Sequence, residues 1–119
     1  MIRHAIATAM TCLAATGPAF ACKCAVTSQD AAIRSAPVVF EGRVRDIATE
    51  GRAQVTTFAV VRPIKGVANG EIIKVRSQTQ SAVCGYDFRS AEKTLLVGGE
   101  RAGHGVISVR RCTMYNLNP

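Results

Sequence analysis

The residues best placed to do chemistry are two cysteines, Cys22 and Cys24, which follow directly behind a short apolar segment. That segment ends in Ala19-Phe20-Ala21, an A-x-A pattern typical of signal-peptide cleavage. Cleavage there makes Cys22 the first residue of the mature chain and converts its backbone nitrogen into an α-amine. An α-amine has a pKa of about 7.7–8, so a usable fraction is uncharged at neutral pH and can ligate a metal ion.

Residues 1–21 have the three parts of a secretory signal peptide. Arg3 and His4 form a short basic start, and residues 5–15 are mostly apolar but too short to span a bilayer. We expect residues 1–21 to be removed as a signal peptide, taking Cys12 with them. Residues 22–119 then form one domain. An uncleaved N-terminal helix is the alternative interpretation.

A cysteine behind a signal segment is also the acylation site of lipoproteins. Lipoprotein signals usually have Leu three places before the cysteine and a small residue two places before it. Here those places hold Ala19 and Phe20. We therefore favour a secreted or periplasmic protein over one anchored at Cys22, where acylation would consume both the thiol and the amine.

The mature chain keeps an even number of cysteines, namely Cys22, Cys24, Cys84 and Cys112. An even count in a short exported chain indicates disulfides. A Cys22–Cys24 bridge would close a very tight, strained ring. The two remaining arrangements both tie the N-terminus to Cys84 and Cys112, and each bridge then closes a loop whose entropic contribution is roughly 4 kcal/mol.

The chain is basic, with a net charge of +7, and loss of Arg3 with the signal peptide leaves +6. The charges are scattered rather than grouped in a block, so a solvated basic surface is favoured over a dedicated polyanion site. Export argues against a nucleic-acid partner. No second apolar stretch is long enough to span a membrane.

The hydrophobic pattern predicts an all-β domain with one short helix. Ser28 caps a helix over residues 29–34, and Pro37 ends it. Pro63 is expected to stop the hydrogen-bond ladder of the second strand. The predicted strands cover residues 38–47, 55–62, 71–77, 94–97 and 105–110. Five short strands with Gly-rich turns favour a five-stranded OB-fold barrel stapled by disulfides. A β-sandwich, which usually needs about seven strands, is the alternative.

Few residues favour catalysis or a resident metal. The mature chain has one histidine, His104, which lies between two glycines in an expected loop. With the cysteines paired, no tetrahedral ligand set or thiolate nucleophile can be assembled. The carboxylates are spaced as surface residues. We therefore predict a protein that is not an enzyme and has no cofactor.

Four segments together resemble a known family: CKC at residues 22–24, KG at 65–66, SAVCGY at 81–86 and ISVRRC at 107–112. In their order and spacing they resemble the inhibitory N-terminal domain of the tissue inhibitors of metalloproteinases, a netrin-like OB-fold module. The resemblance spans almost the whole mature chain. It implies disulfides Cys22–Cys84 and Cys24–Cys112, and an N-terminal segment held on the barrel surface.

The resemblance also implies a function and a set of contact residues. In that family the first cysteine chelates the catalytic zinc of a target protease through its α-amine and carbonyl oxygen, which here would be the role of Cys22. Lys23 would enter the protease's main specificity pocket. Two strips would complete the contact: Cys24, Ala25 and Val26 in one, and Ser81, Ala82 and Val83 in the other.

Three functions compete at this point. The first is an exported inhibitor of zinc metalloproteases acting through Cys22. The second is a non-inhibitory netrin-like module that binds another exported protein or a polyanion, which the net charge and Lys23 favour. The third is a thiol-redox protein built on the Cys-x-Cys pair, which long-range disulfides would exclude.

Overall fold

A computed structural model describes residues 22–25, 27–80, 83–103 and 105–119. The expected signal peptide and His104 lie outside these residues. Two helices and five strands follow one another in the order α1 (Gln29–Ser35), β1 (Val38–Glu50), β2 (Ala53–Lys65), β3 (Ile72–Gln78), β4 (Thr94–Arg101), β5 (Val106–Ser108) and α2 (Arg111–Leu117). A single turn of 3-10 helix, Phe88–Ser90, precedes β4.

The five strands close into a barrel with the neighbour order β1-β2-β3-β5-β4. All neighbours are antiparallel except β3 and β5, which run parallel. The prediction of a five-stranded, disulfide-stapled β-barrel is therefore confirmed, and the sandwich alternative is wrong because the sheet closes on itself. The more specific OB-fold label stays a prediction.

β1 pairs with β2 along one edge and with β4 along the other, and it can do so because it bends. Its pairing with β2 shifts register at three places, one of them between Glu41 and Gly42, while residues Val38–Arg43 also pair with β4. Such bulges increase twist and let a long strand turn a corner. At Gly42 a side chain has no room, since a Cβ would lie 2.7 Å from the ring of Phe40 and 2.8 Å from that of Phe58.

The barrel interior is filled by a chain of edge-to-face aromatic rings. The ring centroids of Phe40 and Phe58 are 6.0 Å apart, and those of Phe58 and Phe88 are 5.2 Å apart. Aliphatic residues from every strand, among them Ile73 and Val75, surround them. Phe58, Val60, Ile73 and Val75, which lie within the predicted second and third strands, are all buried.

A second, smaller cluster lies outside the barrel, under the two helices. Ala32 and Ala36 from α1 meet Leu117 from α2 over Val39 of β1. Val39 points away from the barrel interior but is fully buried because the helices cover that face. Gly98 of β4 allows this approach, since a Cβ there would lie 2.6 Å from the side chain of Leu117.

The first helix agrees with the prediction. The hydroxyl of Ser28 accepts a hydrogen bond from the amide of Ala31 at 3.1 Å, which satisfies one of the unpaired donors of the first turn. At the other end, Nζ of Lys65 donates to the carbonyl oxygens of Ile33 (3.3 Å) and Arg34 (2.9 Å). The helix therefore has a partner at each end.

Two sequence predictions about the elements are wrong. β2 continues through Pro63 to Lys65, because β3 pairs only with Ala53–Ala59 and the end of β2 has a strand neighbour on one side alone. Proline is tolerated at such an edge. The last predicted strand is shorter, Val106–Ser108, and the chain then forms α2, which was not predicted.

Asn118, just after α2, takes the place of a missing strand neighbour. β5 pairs with only Glu100 and Arg101 of β4. Further along β4, the side chain of Asn118 accepts from the amide of Leu96 at 2.9 Å and donates to its carbonyl oxygen at 2.8 Å. The side-chain amide of Asn118 also donates to the carbonyl oxygen of Met114 at 3.0 Å, which joins the end of α2 to the sheet.

Replacement of Asn118 by Ala should therefore weaken both the attachment to β4 and the end of α2. Two partly buried backbone groups of Leu96 lose their partner, so we expect the free energy of unfolding to fall by about 2 kcal/mol. Urea unfolding followed by circular dichroism measures this loss. Asn69→Ala, in the exposed turn before β3, is the matched control and should change stability by less than about 0.5 kcal/mol. Equal effects of the two substitutions would contradict the role given to Asn118.

Candidate functional site

Two disulfides fix the N-terminal segment on the barrel surface. Cys22 is bonded to Cys84 with their Cα atoms 5.5 Å apart, and Cys24 to Cys112 with their Cα atoms 5.0 Å apart. This is the pairing that the family resemblance implies. Residue 22 is thereby held against the loop before the 3-10 turn, and residue 24 against the first turn of α2.

Polar side chains continue this attachment along α2. Asn116 accepts a hydrogen bond from the amide of Thr27 and donates one to the carbonyl oxygen of Ala25, both at 3.3 Å. Gln29 donates to the carbonyl oxygen of Leu117 at 2.7 Å. The N-terminal segment therefore lies along the C-terminal helix, although 88 residues separate Gln29 from Leu117.

The loop that carries Cys84 has an unusual backbone. Cys84 has φ = 59°, in the left-handed region that side-chain-bearing residues adopt rarely. The next residue must be glycine, because a Cβ on Gly85 would lie 1.8 Å from the carbonyl oxygen of Gln78. Arg111 holds the loop from the other side, donating its backbone amide to the oxygen of Cys84 and its Nε to the oxygen of Gly85, both at 3.0 Å.

Together these contacts produce a partly exposed surface, which we call the ridge and define as Cys22–Ala25 with Val83 and Cys84. Lys23 and Ala25 are exposed, and Cys22, Cys24 and Cys84 are half-buried. Val83 is 56% exposed, which is high for an aliphatic side chain. Of the remaining predicted contact residues, Val26, Ser81 and Ala82 lie outside the described residues.

Cys22 belongs to the ridge with its backbone as well as with its side chain. The carbonyl oxygen of Cys22 lies 3.8 Å from the sulfur of Cys24, beside the two disulfides. After cleavage behind Ala21, the nitrogen and the carbonyl oxygen of Cys22 would belong to one residue at the chain end. An amine and a carbonyl on the same residue can close a small chelate ring around a metal ion held by another protein.

A buried amide and a charged pair support the segment between the ridge and the barrel. Gln54, fully buried in β2, donates to the carboxylate of Asp87 at 3.0 Å and accepts from the amide of Phe88 at 2.8 Å. Arg89 donates to both oxygens of the same carboxylate, at distances down to 2.6 Å. The Arg89 guanidinium, assisted by Gln54, holds the pKa of Asp87 well below its ordinary value.

Sequence reasoning missed most of the residues that position the ridge. Gln54 was placed just outside the second strand, and Gln29, Arg111 and Asn116 were given no role. Met114 and Leu117, three residues apart and followed by Asn118, are the one signal that could have indicated a helix at the end of the chain. The disulfides, by contrast, were expected from the even number of cysteines, and their pairing was implied by the family resemblance.

The described residues contain no group of three or more histidine, cysteine or acidic side chains that could hold a metal ion. No helix in the described part of the chain is long and apolar enough to cross a bilayer. Two disulfides fit a protein that is exported to an oxidising compartment.

No protein-family model matches the sequence. A search of curated proteins gives no significant match either.

Asn116→Ala should release the N-terminal segment without unfolding the barrel. The amide of Thr27 loses its acceptor, so we expect its hydrogen exchange to accelerate about fivefold, the equivalent of about 1 kcal/mol. Amide exchange followed by NMR measures this change, with Asn69→Ala as the control. Unchanged exchange at Thr27 would show that Asn116 does not hold the segment.

The lowered pKa of Asp87 predicts a specific loss of stability in acid. A carboxylate with a depressed folded-state pKa stabilises the fold above its unfolded pKa of about 4, and this contribution disappears as the pH falls further. Asp87→Asn should therefore flatten the decline in melting temperature between about pH 4 and pH 2. Asp46→Asn, which removes an exposed carboxylate of β1, should leave the decline unchanged. A decline as steep in Asp87→Asn as in the wild type would contradict this assignment.

Proposed function

We propose that the protein is an exported inhibitor of zinc metalloproteases. In this proposal the mature chain begins at Cys22, and the α-amine and carbonyl oxygen of that residue chelate the catalytic zinc of the target enzyme. The observation that carries the proposal is the attachment of residue 22 to an exposed ridge by a disulfide to Cys84. Five of the eight contact residues that the family resemblance implies, Cys22–Ala25 and Val83, belong to the ridge, and the other three lie outside the described residues.

The chemistry suits a zinc site that has an open position. Catalytic zinc is held by three protein ligands and keeps a fourth position for water. An α-amine with a pKa of about 7.7–8 is partly uncharged at neutral pH and can take that position. Displacement of the water removes the nucleophile that the metal activates, so the enzyme stops hydrolysing its substrate.

The disulfides favour tight binding by limiting what must be ordered. A flexible N-terminus would lose conformational freedom when it enters an active-site cleft. Here residues 22 and 24 are each bonded to the barrel, and Asn116 holds the carbonyl oxygen of Ala25. Most of the conformational entropy of the segment is therefore lost when the protein folds, and little more is lost when it binds.

Lys23 gives the proposed inhibitor a distinct preference. Its exposed side chain lies between the two half-buried cysteines, where it would enter the main specificity pocket of the protease. An apolar pocket would have to bury the ammonium group without a partner, which is strongly unfavourable. The proposed targets are therefore metalloproteases whose pocket contains a carboxylate or opens to water.

A non-inhibitory binding module is the second candidate. The observation that favours it is the positive charge of the mature chain, combined with the exposure of Lys23 on the ridge. Such a module would recognise another exported protein or a polyanion through the same surface. Retention on heparin that weakens with added salt would support the polyanion version.

The decisive experiment compares two N-termini. Protein that begins at Cys22 is assayed against a panel of zinc metalloproteases beside protein extended by one N-terminal alanine. The extension replaces the amine of Cys22 by a peptide nitrogen, so we expect inhibition to weaken at least about a hundredfold, or about 2.7 kcal/mol.

The control carries the added alanine after Pro119, at the other end of the chain, and should inhibit like the unmodified mature protein. Equally poor inhibition by the Cys22-terminal and the extended proteins across the panel would contradict the proposed function and leave the binding module as the better account.

A further inference from the structure

A positively charged cleft opens directly beside the ridge. It has a volume of about 160 Å³ and lies between the ends of β3 and β5 and the loop that carries Cys84. Arg76 of β3 and Arg110, which directly precedes α2, line the cleft, and Val83 and Cys84 form its border with the ridge. No carboxylate lies among the described residues that line it. Because Val83 and Cys84 belong to both surfaces, a protein bound to the ridge would reach the mouth of this cleft.

The two arginines have little charge compensation within the protein. Arg76 approaches Glu50 at 3.8 Å, but both side chains are more than half exposed, so this pair contributes little. Arg110 forms no salt bridge within 4 Å to any described carboxylate. Its backbone is held in place, since its carbonyl oxygen accepts the first hydrogen bond of α2, from the amide of Met114 at 3.1 Å.

We propose that this cleft is an anion subsite that receives a carboxylate from an acidic side chain of the protein bound to the ridge. The proposal rests on the proposed function, because it takes the ridge as the surface that a metalloprotease covers. Arginine pairs well with carboxylate through parallel N–H···O bonds. The recognised protease therefore has an acidic residue at the rim of its active-site cleft, in addition to the pocket that receives Lys23.

The shape of the surface favours a protein over a sulfated polymer. The cleft is small, with a volume of about 160 Å³, and is bordered by the exposed aliphatic side chain of Val83. An aliphatic residue next to a fixed charge suits a protein surface, where apolar and charged groups alternate. A polyanion would instead favour a continuous row of basic side chains.

The cleft can be tested without any protease. Sodium acetate, titrated into the mature protein against sodium chloride at equal ionic strength, should shift the amide resonances of Val83 and Gly85 saturably. Arg110→Gln should abolish the shift, whereas Arg43→Gln, on the exposed face of β1, should retain it. The absence of a saturable shift, or equal shifts in both variants, would overturn the anion subsite.

Two further measurements distinguish a carboxylate from a sulfated polymer as the source of the anion. They also distinguish failure of the anion subsite from failure of the proposed inhibitory function. Against a protease that the mature protein inhibits, Arg110→Gln should raise the inhibition constant about tenfold and reduce its salt dependence, and Arg43→Gln should not. Saturation by sulfate but not acetate, with heparin retention lost in Arg110→Gln, would overturn the carboxylate assignment in favour of a polyanion. Failure of the mature wild type to inhibit any protease would contradict the proposed function, while the acetate titration alone decides whether the cleft binds a carboxylate.

Discussion

The position of the N-terminal segment depends on two covalent bonds that span most of the chain. The Cys22–Cys84 and Cys24–Cys112 disulfides link residues 62 and 88 positions apart. None of the described residues among 22–28 is fully buried, so packing contributes little to holding the segment. In the chain-entropy account each bond contributes about 4 kcal/mol by restricting the unfolded chain. The same bonds hold residues 22 and 24 on the surface of the domain, and so they connect the stability of the fold to its proposed chemistry.

The C-terminal helix holds the disulfide-bonded segment and the loop of Cys84 next to each other. α2 provides Cys112 for one disulfide, Asn116 for the backbone of the segment and Arg111 for the loop of Cys84. Its own place is fixed by Leu117, packed under α1, and by Asn118, which bonds to β4 where β5 is too short to reach. A helix of seven residues thus connects the barrel, the N-terminus and the neighbouring loop. A substitution that displaces α2 should therefore also displace Cys22.

The parts of the structure that follow local rules were predictable from the sequence. Alternating apolar residues identified the strands, and Ser28 with Pro37 placed the first helix within one residue. The contacts that shape the ridge were not predictable, because they join residues far apart in the chain. The partners of Asn116 and Gln54 depend on how the barrel closes, and no local pattern encodes that. The continuation of β2 through Pro63 has the same cause, since only the tertiary arrangement leaves that end of the strand with one neighbour.

One measurement tests the central claim most directly: mass spectrometry of the exported, unreduced protein after digestion with trypsin. Because Lys23 separates the two N-terminal cysteines, cleavage behind it allows each disulfide to be assigned. The account predicts residues 22–23 linked to residues 77–89, and residues 24–34 linked to residues 112–119. A link between residues 22–23 and 112–119, or a fragment that extends N-terminally beyond Cys22 or carries a lipid, would contradict it.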